Sequence, residues 1–159
     1  MSRAVIALGS NLENPVQQVE AALAAIAALP GVSLLRRSAC YQTVPVGYAD
    51  QPDFINAVCE VQTSLSPEAL LAALLEVEQA FGRVRTFRNA PRVLDLDLLL
   101  VEGVVLDTDF LTLPHPRMHE RAFVMLPLAD MAADMQVGNH GAAADIAAGL
   151  DAAGVKRLA

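Results

Sequence analysis

The order strand, helix, strand, strand, helix, strand, read between Arg3 and Val101, predicts an α+β fold. Its form is a ferredoxin-like sandwich, an antiparallel sheet with helices packed on it and extra C-terminal helices. Three observations carry this. Apolar residues recur at helical spacing in two stretches, each opened by a capping residue and a proline. Short apolar and β-branched runs between them read as strands. Pro-Gly and Gly-Ser-Asn clusters mark the boundaries.

"RAVIALGS" makes the first strand, Arg3 to Leu8, and Gly9-Ser10-Asn11 breaks it. In "NPVQQVEAALAAIAAL", Asn14 stands at the N-cap and Pro15 at the first helical position. Apolar residues at 16, 19, 23, 26 and 29 form one face, and Pro30-Gly31 ends the helix. "VSLLRRSACYQTV" reads as a second strand, "PVGYADQP" as a loop framed by prolines, and "DFINAVCEVQTS" as a third strand. Within it Phe54, Asn56, Val58 and Glu60 share one side, and Ile55, Ala57, Cys59 and Val61 the other. Ser66 and Pro67 open a second helix that continues to Phe81. A basic loop, Gly82 to Arg92, leads into a strand from Val93 to Val101. "EGVVLD" and "FLTLPHP" read as a short hairpin or an extended excursion, followed by helices around Phe123 to Met131 and Ala142 to Ala153.

The 159 residues are expected to form one domain, 1–159, without repeats or linkers. A formal charge of −7 argues against a nucleic-acid partner, since such proteins carry a basic face. No apolar run reaches the roughly 18 to 20 residues of a membrane span, and the N-terminal run is too short for a signal peptide. A soluble, cytoplasmic monomer is expected. Cys40 and Cys59 read as small buried hydrophobes. Charge distribution says more than charge total. Of ten arginines, six (Arg83, Arg85, Arg88, Arg92, Arg117 and Arg121) fall between positions 83 and 121, and positions 83–92 hold no acid. Guanidinium forks suit phosphate, although a solvated basic loop would look the same by composition.

"APRVLDLDLLLVEG" is the most informative stretch. Two aspartates interrupt an apolar strand, and a carboxylate taken from water is expensive unless paired or bound to a metal. Alternation puts Leu94, Leu96 and Leu98 on one side and Asp95 and Asp97 on the other, with the two Cα atoms roughly 6.5 to 7 Å apart. Leu99 and Val101 are expected on the aspartates' side, which is odd for a solvated face. The pair can converge on a hard cation such as Mg²⁺, which is held by one or two carboxylates plus substrate phosphates. Carboxylates beside an arginine-rich loop are the recurring kit of phosphoryl transfer. No Walker loop and no kinase glycine-rich or catalytic-loop pattern is present.

Read together, "ALGSNL", "YQTVPVG", "QPDFINAV", "GRVR", "PRVLDLDLLL" and "LPHPRMHERAFVMLPL" resemble, in order, the blocks of the 6-hydroxymethyl-7,8-dihydropterin pyrophosphokinase family, from about Val5 to Leu128. The resemblance implies transfer of pyrophosphate from ATP to the hydroxymethyl group of the reduced pterin, releasing AMP, in folate biosynthesis. It implies that Asp95 and Asp97 bind two Mg²⁺ ions, with Arg83, Arg92 and Arg121 on the phosphates and Arg85 in the same mobile loop, which would close over ATP. His115 and Thr112 match nucleotide-side positions and Leu98 lies near the adenine. Asn56 matches the amide that reads the pterin edge, Thr43 and Val46 supply backbone contacts, and Phe54 and Phe123 sandwich the ring. Asparagine offers a donor and an acceptor in one group, and phenyl faces offer stacking.

The chain departs from the family pattern at several points. Asn89-Ala90 replace the usual Trp-Gly, with Phe87 the candidate substitute; Thr86 stands for a lysine, Val44 for a proline and Phe54 for a tyrosine. Outside the matched roles, Glu76 and Glu78 read as solvated, Phe81 and Phe110 as packing residues, and His140 as a surface turn residue. Pro116 disfavours a helix through His115, so His115 and His119 do not make a zinc pair. Two rival readings remain at this level: a non-catalytic ligand-binding module, and a relative acting on another alcohol.

Overall fold

The computed structural model describes residues 1–12, 14–45, 50–82 and 94–158. In chain order the elements are β1 (Ser2–Ser10), α1 (Pro15–Ala27), β2 (Val32–Arg37), β3 (Tyr41–Thr43), β4 (Phe54–Thr63) and α2 (Pro67–Ala80). There follow β5 (Asp95–Val101), β6 (Leu106–Asp107), β7 (Thr112–Leu113), a 3-10 turn at Met118–Glu120, α3 (Ala122–Ala132), α4 (Ala143–Ala148) and β8 (Val155–Arg157). The main sheet runs β5-β1-β4-β3-β8, with β2 also paired to β4 and every pairing antiparallel. β6 and β7 form a separate antiparallel ribbon, so of the hairpin and the extended excursion the structure has the hairpin.

Alternation along the strands sorts side chains onto two faces. Ala4, Ile6 and Leu8 of β1, Ile55, Ala57, Cys59 and Val61 of β4, and Leu94, Leu96 and Leu98 pack against Val19, Leu23 and Ile26 of α1 and Leu70 and Leu74 of α2. Val5, Val58 and Leu99 face the other way, onto Val124, Met125 and Leu128 of α3 and Ala143 and Ala147 of α4. The extra C-terminal helices therefore cover the second face, giving three layers. α3 is almost wholly apolar and spends its length on this packing, but its first turn presents Phe123 at the edge of the layer.

Local signals explain most boundaries. Ser66 accepts the Ala69 N–H through its hydroxyl at 3.1 Å, with Pro67 and Glu68 in the first turn of α2. Gly82, at φ 80°, turns the chain out of that helix. Asn14 behaves differently from expectation: it occupies the N-cap of α1 in a left-handed conformation (φ 61°) and makes no side-chain cap bond. Val16, assigned to the apolar face, is 41% exposed, whereas Ala22 is buried.

Three further corrections concern the sheet and the C-terminus. The single second strand is two, β2 and β3, because Ser38 intervenes. Its N–H donates to the Val58 carbonyl at 2.9 Å, and its hydroxyl accepts the Val58 N–H at 3.0 Å, replacing one ladder bond. Three residues then oppose two of β4, as the pairs Arg37–Cys59 and Tyr41–Asn56 require. Val101 does not share the aspartates' side. The β1–β5 register shifts between Val5 and Ile6, so Leu99 and Leu100 both face α3 and Val101 turns to the opposite core. α4 ends at Ala148, well before Ala153, and the chain continues into a strand, β8, with no counterpart in the expectation.

Candidate active site

Antiparallel register lays the site out as rows across one sheet face. Asp97 lies opposite Ala7, and Ala7 opposite Val58. In the next row Asp95, Gly9, Asn56 and Tyr41 stand on β5, β1, β4 and β3. Beyond it Phe54 is paired with Thr43. The two residues of β1 between the carboxylates and β4 are thus alanine and glycine, which leave a floor without tall side chains. Over this floor sits a cavity of about 720 Å³, roofed by the 3-10 turn and the start of α3.

Eight of the residues singled out from sequence line this cavity: Asp95, Asp97, His115, Arg121, Thr43, Phe54, Asn56 and Phe123. Leu98 does not. Its side chain is buried on the opposite face with Leu94 and Leu96, as strict alternation demands. Thr112, on β7, also lies outside the cavity lining. Arg83, Arg85, Arg92 and Val46, and Phe87 with Asn89-Ala90, lie outside the described residues.

One end of the cavity is built for charge. Arg117 and Arg121 join Asp95, Asp97 and His115 there. The Arg117 backbone N–H donates to His115 Nδ1 at 3.2 Å, so Nε2 carries the proton of the neutral ring. Burial, then the Arg121 charge, hold the His115 pKa below its ordinary value, against an opposing pull from Asp95. The His115 N–H bonds the Leu99 carbonyl at 2.6 Å, which ties this residue to the aspartate strand. Arg121 lies over the Phe123 ring, 5.7 Å from its centroid, and so links the charged end to the aromatic one.

The other end is built for a flat, hydrogen-bonding group. Phe54 and Phe123 bring aromatic surface from the sheet and from α3. Asn56 Oδ1 and Thr43 Oγ1 are buried and find no hydrogen-bond partner among the described residues. Orphaned buried polar atoms call for an explanation, and a ligand edge at this point would satisfy both. A Cβ on Gly9 would lie 2.9 Å from Asn56 Nδ2, so the amide reaches over β1 only because residue 9 is glycine.

Asp95 and Asp97 fit a magnesium ion shared with phosphate. Among the described residues no three His, Cys, Asp or Glu side chains converge on one point, so any cation here takes most of its ligands from elsewhere. That donor set, two carboxylate positions and no closed protein cage, suits magnesium rather than a structural metal. His119 stacks on His140, centroids 3.6 Å apart, so the exposed turn at His140 has a partner.

Several contributors escaped the sequence. Glu78, expected to be solvated, is 3% exposed and accepts the Leu96 N–H through a carboxylate oxygen at 2.6 Å. It thereby caps the outer edge of β5 between the two aspartates. Glu120 lines the cavity without having been singled out, as do Leu150, Asp151, Gly154 and Val155 near the C-terminus, and Arg117, noted only among the clustered arginines, lines it too. Gly9 carried a legible signal, because a glycine at the end of a strand marks close approach.

Comparison with known proteins gives the family. Residues 5–133 match the family model described as 7,8-dihydro-6-hydroxymethylpterin-pyrophosphokinase. The 2-amino-4-hydroxy-6-hydroxymethyldihydropteridine pyrophosphokinase of Haemophilus influenzae is 46% identical over 139 residues, 87% of each chain. The enzyme of the same name from Methylorubrum extorquens is 41% identical over 158 residues, 99% of each chain. Among solved structures, Plasmodium falciparum HPPK-DHPS with pterin and p-hydrobenzoate shares the fold at a TM-score of 0.72 and 14% identity, over 92% of this chain. This chain spans 44% of that longer one. The chain therefore belongs to the 7,8-dihydro-6-hydroxymethylpterin-pyrophosphokinase family, enzymes of folate synthesis that transfer pyrophosphate from ATP to hydroxymethyldihydropterin.

Proposed function

We propose that this cavity is where the family reaction takes place, with the pterin at the Asn56 end and the triphosphate at the Asp95–Asp97 end. The observation that carries it is the row Asp95–Gly9–Asn56, in which an orphaned amide oxygen and a metal-fitting carboxylate share one face with only a glycine between them. Asn56 and the Thr43 hydroxyl take the hydrogen-bonding edge of the heterocycle, and Phe54 and Phe123 hold its faces. The hydroxymethyl group then points along the floor of Ala7 and Gly9 toward the aspartates.

His115, neutral with its proton on Nε2, donates to a phosphate oxygen, and Arg117 and Arg121 contribute fixed positive charge. Arg83, Arg85 and Arg92 supply the remaining phosphate contacts, on the strength of their charge and their place before β5. Asp95 and Asp97 would hold magnesium, two ions in the full complex, which when bound offsets phosphate charge and favours alignment of the reacting oxygens. In the transfer, the hydroxymethyl oxygen forms a bond to the β-phosphorus of ATP as the bond from that phosphorus to the α-phosphate bridging oxygen breaks. AMP departs with that oxygen and the alcohol proton is released. Position and charge, rather than a strong base, carry the step, and no side chain in the cavity needs to be one.

We further propose that residues 1–159 act as one domain and as a monomer in the cytoplasm, without a nucleic-acid partner. Support comes from the acidic charge and from the described helices, none of which is long and apolar enough to cross a membrane. Incubation of the chain with MgATP, with and without 6-hydroxymethyl-7,8-dihydropterin, tests the assignment. AMP forming only with the pterin is expected. ADP, or AMP that forms equally without pterin, would contradict it.

A further inference from the structure

The family match ends at residue 133, yet the wall of the cavity does not. Leu150, Asp151, Gly154 and Val155 line it too, and strand pairing explains how they come to be there. β8 adds to the edge of β3 with Val155 opposite Thr43, and Thr43 is itself opposite Phe54. Directly paired residues project to the same face. Phe54, Thr43 and Val155 are therefore one row across three strands, at the end of the cavity farthest from Asp97.

The turn before β8 is held firmly. The Asp151 carboxylate accepts the Ala153 N–H at 3.0 Å, and the Val155 N–H bonds the Ala152 carbonyl at 3.0 Å. Val44 donates its N–H to the Gly154 carbonyl at 2.9 Å, and Leu158 donates to the Cys40 carbonyl at 2.9 Å. Backbone bonds thus clamp the C-terminal segment along the length of β3. There the two segments pass close together: a Cβ on Gly154 would lie 2.5 Å from Val44 Cγ2, so any larger residue must displace the Val44 side chain. Val44 directly follows Thr43, whose buried hydroxyl finds no partner among the described residues.

Resting on the assignment of this end to the pterin, we propose that the turn 150–154 and the start of β8 are a specificity-determining wall of the heterocycle subsite. The wall acts through the Gly154–Val44 contact, which sets where Thr43 and the rim beside it stand. Val155 and Leu150 give this wall apolar surface and Asp151 adds a carboxylate, a mixed lining suited to a flat ring that carries N–H groups at its edge. Val44 and Gly154 are positioning residues here, and Gly154, unlike Val44, lies outside the segment that defines the family.

Calorimetric titration of the full chain with 6-hydroxymethylpterin and, separately, with magnesium and a nonhydrolysable ATP analogue tests this. Gly154→Ala should weaken pterin binding about tenfold, as overpacking a close contact does. Nucleotide affinity should stay within about twofold, since that end of the cavity is remote. Adding Val44→Ala to Gly154→Ala should restore most of the pterin affinity, which a merely destabilised fold would not do. Val155→Ala, which only removes atoms, should show the same split between ligands and serves if Gly154→Ala does not fold. Unchanged pterin affinity, equal loss for both ligands, or no recovery in the double variant would overturn the wall. Failure of the unaltered chain to bind pterin at all would instead overturn the assignment of the cavity.

Discussion

Gly9 and Asn56 show how much a single atom position decides at this site. The Asn56 amide occupies the space where a residue 9 side chain would stand, 2.9 Å from its Cβ position. Gly9→Ala should push the amide off the ring edge and weaken pterin binding about ten- to a hundredfold, the range that overpacking produces, with nucleotide binding less affected. Equilibrium titration of each ligand separates the two effects. His115 gives a second prediction. Its folded pKa lies below the ordinary 6.5, so the unfolded chain takes up the proton first as pH falls. Stability should therefore decline as pH drops through about 6.5 toward the lowered folded value, and His115→Gln should flatten that slope in urea melts. The aspartate pair was legible because strand alternation is local and puts both acids on one face of an otherwise apolar run. Glu78 was not, because the Leu96 N–H that justifies its burial comes from a distant strand. Cys40 and Cys59 are the buried free thiols expected, and burial pushes Cys59 up to about 12, which makes it inert. Phe110, expected to pack, is 57% exposed on the hairpin.

Among the elements, β5 carries the most consequence. It lies at the end of the sheet order, paired with β1, and Glu78 of α2 covers the outward N–H of Leu96. Glu78→Ala should cost about 1–3 kcal/mol in denaturant unfolding by stranding that donor, and Glu78→Gln, which keeps a carbonyl acceptor, should recover much of it. α3 has a different duty, since its buried face fixes where Phe123 stands. Leu128, fully buried on that face of α3, should cost about 2–5 kcal/mol when changed to alanine, measured the same way. Helices α1 and α2 were readable from apolar period and prolines. The break between β2 and β3 was not, because Ser38 substitutes its hydroxyl for a ladder acceptor and leaves the apolar pattern intact. β8 escaped for a related reason. Three residues, Val155–Arg157, hold too little pattern to announce a strand, and only the exposed edge of β3 makes them one.

At the scale of the molecule, the three layers divide their work. One face of the sheet, under α1 and α2, is continuous core; the other gives up part of its area beside α3 to the cavity. The chain order from Arg3 to Val101 was enough to read the sandwich, because helices placed between strands are crossovers that return the chain to one antiparallel sheet, although β1 pairs with β4 and β5 rather than with its sequence neighbour β2. What no local pattern could supply is the row Asp95–Gly9–Asn56, which exists only once three strands are in register. Two carboxylates on that face are claimed to hold the metal that a triphosphate shares. The most direct test is the initial rate of AMP formation by Asp95→Asn and Asp97→Asn at saturating MgATP and pterin, with circular dichroism confirming the fold. Each variant should lose at least about a hundredfold in rate, as removal of a transition-state charge contact does, while melting near the unaltered chain. Normal turnover by either folded variant would contradict the account.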